Sequence, residues 1–223
     1  MNWLKGTWAI FEKDMRLELR SRYAINMLLM FVLSTMLLLV FAVGTNDVDP
    51  RVQSGLVWIV IMFAAAIGLS RSFVYEQEGN TTLLLRLHTK PTMVYAGKLA
   101  FNLVLMLGVS LLAYLAFWLL LRITPLEPGL FLTSLLLGAV ALAGTTTLLS
   151  ALIAQSSNKG TLLPVLLFPL LVPVLVSAVN ASRSALPNGL GWSAATDDLK
   201  VLVAFAGATI SASFLLFEYV WNE

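Results

Sequence analysis

Six runs of apolar residues, each close to the length that crosses a bilayer, dominate this sequence. They cover residues 23–43, 52–69, 99–121, 130–154, 161–179 and 199–220. The hydrocarbon core of a membrane is about 30 Å thick and a helix rises about 1.5 Å per residue, so about 20 mostly apolar residues span it. Inside lipid every backbone N–H and C=O must be bonded within the chain, which makes these runs helices. Strands of a membrane barrel alternate with period two over about ten residues, and these runs do not. The composition agrees: 59% of residues are hydrophobic and 12% are charged, where a soluble domain has about 25% charged. The expected fold is an all-α integral membrane protein of six transmembrane helices. Residues 1–223 read as one membrane domain, with no internal repeat and no low-complexity tail.

Lys and Arg set the orientation of such a chain, since they accumulate on the cytoplasmic side. Lys5, Lys13, Arg16, Arg20 and Arg22 precede the first run. Arg71, Arg86, Lys90 and Lys98 lie between the second and third, and Lys159 lies between the fourth and fifth. The opposite side holds Arg51, Arg122, Arg183 and Lys200, so ten of the 14 cations fall on one side. The N-terminus is therefore expected inside, and six crossings return the C-terminus to the same side. The first apolar run is too long for the core of a secretion signal, so the N-terminus is expected to stay attached.

Several chemistries are excluded. The chain has no cysteine and a single histidine, His88. Thiolate metal sites, iron–sulfur clusters, Cys nucleophiles and multi-histidine zinc sites cannot be built. There is no G-x-S-x-G, no H-E-x-x-H and no G-x-x-x-x-G-K-[ST]. The chain cannot hold ATP phosphates by the last route, so any work driven by ATP needs another subunit. None of the six runs carries an acid, a base or a histidine in its middle, which disfavours a proton-coupled carrier. The net charge of +2 gives no argument for nucleic acid.

Three segments carry functional expectations. In residues 1–22, Trp3, Trp8, Phe11, Met15 and Leu19 recur at helical spacing among cations, which reads as an interfacial helix lying in the inner leaflet. Residues 71–98 form the longest stretch between apolar runs. Glu76 and Glu78 stand where positive charge normally dominates, Gly79-Asn80 marks a turn, and a short amphipathic helix containing Leu83, Leu84 and Leu87 follows. Pro91 can open the next helix. The fifth run carries Pro164, Pro169 and Pro173, each of which removes a backbone hydrogen bond and kinks a helix. Asn26, Ser34, Thr35, Asn102, Ser110 and Thr145–Thr147 are read as polar glue between helices.

The order of these parts resembles the haem exporter protein B (CcmB) family, the permease subunits of the ABC-type complex of cytochrome c maturation. The resemblance rests on K-D-M-R-L-E-L-R-S-R (residues 13–22), L-S-R-S-F-V-Y-E-Q-E-G (69–79) and Y-A-G-K (95–98). It rests also on L-L-P-V-L-L-F-P-L-L-V-P-V-L (162–175) and F-E-Y-V-W-N-E (217–223). It implies an ABC-2, type V exporter-like permease in the bacterial inner membrane, paired with a second copy and carrying no nucleotide site of its own. It further implies a partner ATPase (the family's A protein), the C and D membrane proteins, and the periplasmic haem chaperone E. Haem would be the pathway's cargo and not a cofactor bound here, and ATP would act through the partner. ATP hydrolysis would release the haem-loaded chaperone or export haem. The ATPase contact would fall on Glu76, Glu78, Gly79, Leu83, Leu84, Arg86 and Leu87. The sequence departs from the family at this point: the usual Gly-Thr/Ser-Leu-Glu is replaced by Gly79-Asn80-Thr81-Thr82-Leu83-Leu84, which shifts the register of that short helix. An ABC-2 permease for a drug, lipid or polysaccharide, and a membrane scaffold or scramblase without an ATPase, are the alternatives.

Overall fold

The computed structural model describes residues 2–43, 48–68, 89–122, 124–154 and 159–222. These residues form seven helices and no strand: α1 (Trp3–Ser21), α2 (Tyr23–Val43), α3 (Pro50–Gly68), α4 (Pro91–Leu121), α5 (Pro128–Ala154), α6 (Lys159–Ser184) and α7 (Gly191–Asn222). Six of them, α2 to α7, are long and apolar enough to cross a membrane. Each covers one of the apolar runs, α3 as far as Gly68.

The helices outrun the apolar stretches. Only α2 has the expected bounds at both ends; α4 opens at Pro91 instead of residue 99, and α7 covers Gly191–Asn222 instead of 199–220. Apolar residues mark the part of a helix that suits hydrocarbon, whereas backbone hydrogen bonding continues until a residue interrupts it. Pro50, Pro91 and Pro128 each open a helix. Proline is suited to that first position, because the N–H it lacks would have no helical partner there and its φ is already helical. The extension of α4 matters most, because it draws Lys98 out of the loop and into a helix.

Helix α5 is the axis of the bundle. About 72% of its most apolar window is buried, against 17% for α2 and 22% for α7. It packs on α4, α6 and α7, through small residues such as Ala139, Ala141 and Ala143 that let backbones approach closely. Phe41, Leu119 and Leu215 point outward, as befits helices whose outer surface meets lipid.

Among the described residues, buried polar contacts tie helices together, and two of them run through a hydroxyl. Trp58 Nε1 on α3 donates to Ser182 Oγ on α6 at 2.9 Å, and that hydroxyl donates onward to the Ala178 carbonyl at 2.6 Å. Asn102 Nδ2 on α4 donates to Thr147 Oγ1 on α5 at 2.8 Å, and Thr147 donates to the Ala143 carbonyl. In each pair the hydroxyl accepts across the interface and donates within its own helix, so both its capacities are used. Helix α6 is continuous through Pro164, Pro169 and Pro173. At the end of the bundle away from α1, Gly191 opens α7 with φ +69°, and a Cβ there would lie 2.5 Å from Glu127 Oε1.

Candidate functional site: the junction of α1, α4 and α7

Helix α1 ends at Arg22, whose φ of 52° is left-handed, and its N–H donates to the Glu18 carbonyl at 2.6 Å. This left-handed closure normally uses glycine. At a residue with a Cβ it costs about 1–2 kcal/mol, so the surroundings must hold the corner in place. Glu18 does part of that holding. It is buried, and its Oε1 accepts from the Ile25 N–H at 2.8 Å. That N–H is one of the four donors left open at the start of α2, and a carboxylate suits the positive end of the helix dipole.

The buried face of α1 comprises Gly6, Ile10, Asp14 and Glu18, one residue in every four. It lies on the opening turns of α4. Contact is close: a Cβ on Gly97 would lie 2.8 Å from Ile10 Cβ and 2.9 Å from the Thr7 carbonyl oxygen. One residue further on, Lys98 Nζ meets Asp14 Oδ2 at 3.2 Å, with the lysine 1% exposed. Lys13 Nζ approaches the other oxygen, Oδ1, at 3.1 Å. Near the start of both helices, Trp3 Nε1 donates to Thr92 Oγ1 at 3.3 Å.

The third partner is the end of α7. Tyr95 is fully buried, with its ring edge-on to Phe214 at 5.0 Å and tilted against Phe217 at 5.3 Å. Ile10, Met93, Val94, Tyr95, Ala151 and Phe217 form a small apolar cluster of their own, apart from the main core. Tyr95 and Lys98 therefore leave α4 toward different neighbours: the tyrosine toward α7, the lysine toward α1.

The structure sorts the residues expected from sequence. Trp3 and Trp8 of α1 are exposed on the outside of the protein, and Phe11 and Met15 are half-buried beside them. The Trp8 and Phe11 rings lie 5.2 Å apart. On the polar side, Arg16 pairs with Glu12. Thus α1 has two working faces, where the sequence pattern revealed only the aromatic one. Asp14, Glu18 and Lys98 were missed as site residues. The four-residue repeat from Gly6 to Glu18, with an acid at its last two places, was the available signal. Lys98 was counted among loop cations, and this is corrected: it lies within α4 and is buried. Of the expected polar glue, Thr145 and Thr146 donate to carbonyls of their own helix, whereas Asn102 does bridge. Glu76, Glu78, Gly79, Leu83, Leu84, Arg86 and Leu87 lie outside the described residues. Among those described, no group of His, Asp or Glu is placed to hold a metal ion.

Three of the five stretches that carried the family resemblance meet here. Residues 13–22 supply Asp14, Glu18 and Arg22; residues 95–98 supply Tyr95, Gly97 and Lys98; and Phe217 opens the last stretch. Comparison with known proteins agrees. The chain is 28% identical over 205 residues to heme exporter protein B of Rhodobacter capsulatus, covering 91% of this chain and 92% of that protein. It is 30% identical over 207 residues to heme exporter protein B of Paracoccus denitrificans, covering 91% of each. It is 27% identical over 188 residues to that of Bradyrhizobium diazoefficiens, covering 83% of this chain and 85% of the relative. The sequence pattern of the CcmB protein family matches residues 5–217. The chain belongs to the CcmB protein family.

Proposed function

We propose that this chain is the permease subunit of a haem-handling ABC complex in c-type cytochrome biogenesis, set in the bacterial inner membrane with both termini in the cytoplasm. The observation that carries this reading is the family match from residue 5 to 217, on a chain whose described helices include six fit to cross a bilayer. The sequence holds no Walker-type phosphate loop, so the energy comes from a partner ATPase. That partner docks on the segment carrying Glu76, Glu78, Gly79, Leu83, Leu84, Arg86 and Leu87. A second copy of the chain, the C and D membrane proteins and the periplasmic haem chaperone E complete the assembly. Hydrolysis drives release of the haem-loaded chaperone or export of haem. Haem is cargo here, and Trp3, Trp8, Phe11 and Met15 seat α1 in the inner leaflet.

The test is co-expression with the neighbouring genes, mild solubilisation and affinity capture of this chain, followed by an ATPase assay. An ATPase should co-purify together with haem-handling proteins. Isolation of the chain alone and inactive defeats the reading. In the same assay, Glu76→Lys with Glu78→Lys should lower ATPase recovery several-fold while membrane insertion is unchanged. Full recovery and activity in that double variant would remove the docking role from this segment.

A further inference from the structure

We propose that Asp14 and Lys98 are positioning residues for transport, a buried ionic latch that fixes the register of α1 on α4. The proposal rests on the reading above, that a partner ATPase drives this chain. Motion arriving at the first turn of α4 would then pass to α1 through the latch. From α1 it would pass to α2 through the Arg22 corner and the Glu18 carboxylate.

The contacts form an unbroken mechanical path. Lys98 Nζ reaches Asp14 Oδ2 at 3.2 Å in a buried setting. Gly97 next to it lets the α4 backbone press on Ile10 and Thr7. Eight residues beyond Ile10 on the same face of α1, Glu18 holds the Ile25 N–H of α2, and only Arg22 separates the two helices. Helix α2 is the least buried of the six spans, so of the six it has the least packing to resist a push.

Stability alone does not account for the pair. Removing two charges from water offsets most of their attraction, and an apolar pair of the same volume serves a fold at least as well. What a buried pair does supply is register. Sliding α1 along α4 by one turn, about 5.4 Å, separates the two charges inside the protein. Apolar contacts would let the helices creep; the ion pair leaves α1 either seated in one register or released. Two discrete arrangements are what a packed element needs to pass on a displacement without absorbing it.

The experiment uses the complex purified with its ATPase and compares Asp14→Asn/Lys98→Met with the charge swap Asp14→Lys/Lys98→Asp, the swap carrying Lys13→Gln as well so that no second cation faces the new lysine. Three quantities are read: thermal stability in detergent, ATP hydrolysis, and the yield of mature c-type cytochrome per ATP consumed. The neutral pair should melt like the wild type and retain the ATPase, yet yield at least tenfold less cytochrome per ATP. The swap should recover at least half of the wild-type yield. A neutral pair that folds and matures cytochrome at the wild-type ratio overturns the latch. If the neutral pair does not accumulate, the swap decides: recovery supports the latch, and a folded swap without recovery overturns it. Absence of any ATPase with the wild-type chain counts against the preceding reading, and is seen before any variant is made.

Discussion

At the scale of single residues, Trp58 shows how three helices are fixed by one side chain. It is fully buried, its indole N–H is held by Ser182, and its ring abuts the backbone of α5 at Gly138. A Cβ at Gly138 would lie 2.6 Å from Trp58 Cζ3 and closer still to Cη2. Gly138→Ala should therefore force the indole from its place and cost about 1–3 kcal/mol, as overpacking of a tight core does. Ser182→Ala acts differently, leaving the indole N–H buried and unpaired at a cost of about 1–3 kcal/mol. Ser182→Thr keeps the hydroxyl and should recover the hydrogen bond. Melting of the detergent-solubilised protein checks all three; a Gly138→Ala variant as stable as wild type would show that α5 can yield at this point. None of this was legible in the sequence, because Trp58, Gly138 and Ser182 stand on three different helices and no local pattern relates them. Asn102 was legible as glue, since a buried amide in lipid needs a partner. Which of Thr145, Thr146 and Thr147 supplies it was not, because a helical threonine can equally bond the carbonyl four residues back.

At the scale of elements, the six spans could be read in their order and number, because length and apolarity are local properties. Their ends could not, since helices α4 and α7 continue past the apolar run into polar sequence. The seating of α1 was half-readable. The aromatic side of α1 announced itself through Trp3 and Trp8, whereas the buried side consists of a glycine, an isoleucine and two acids, which no hydropathy pattern marks as a packing face. Gly97 is the test of that seating. Gly97→Leu should place a bulky side chain against Ile10 and the Thr7 carbonyl and lift α1 from α4, while α2 to α7 remain inserted. The chain has no native cysteine, so a single cysteine introduced at Ile10 reports directly. It should resist a maleimide in the otherwise unaltered protein and react at least several-fold faster when Gly97 is also Leu. Equal protection in both would show that α1 is held without the close contact at Gly97.

At the scale of the whole molecule, the bundle has two ends and the charges are not shared equally between them. Among the described residues, Lys5, Lys13, Arg16, Arg20, Arg22, Lys90, Lys98 and Lys159 belong to the end that holds α1; Arg51, Arg122, Arg183 and Lys200 belong to the other. Cations near the anionic inner leaflet are each worth about 1 kcal/mol, and Lys98 adds little to that sum because Asp14 already neutralises it within the protein. Even without Lys98, seven described cations against four bias the α1 end toward the cytoplasm. Helix α3 ends at Gly68 and α4 opens at Pro91, and the segment proposed to receive an ATPase is the one that joins them; ATP is found in the cytoplasm. The two arguments are independent, so orientation is where they can be made to disagree. Asn2→Cys and Ser193→Cys place single thiols at exposed positions on the two ends. In intact cells a membrane-impermeant maleimide should label Ser193→Cys at once, and Asn2→Cys only after the membrane is opened. The reverse pattern would put the proposed docking segment on the side without ATP. The charge rule would then have failed for this chain, and a partner ATPase could not reach it at all.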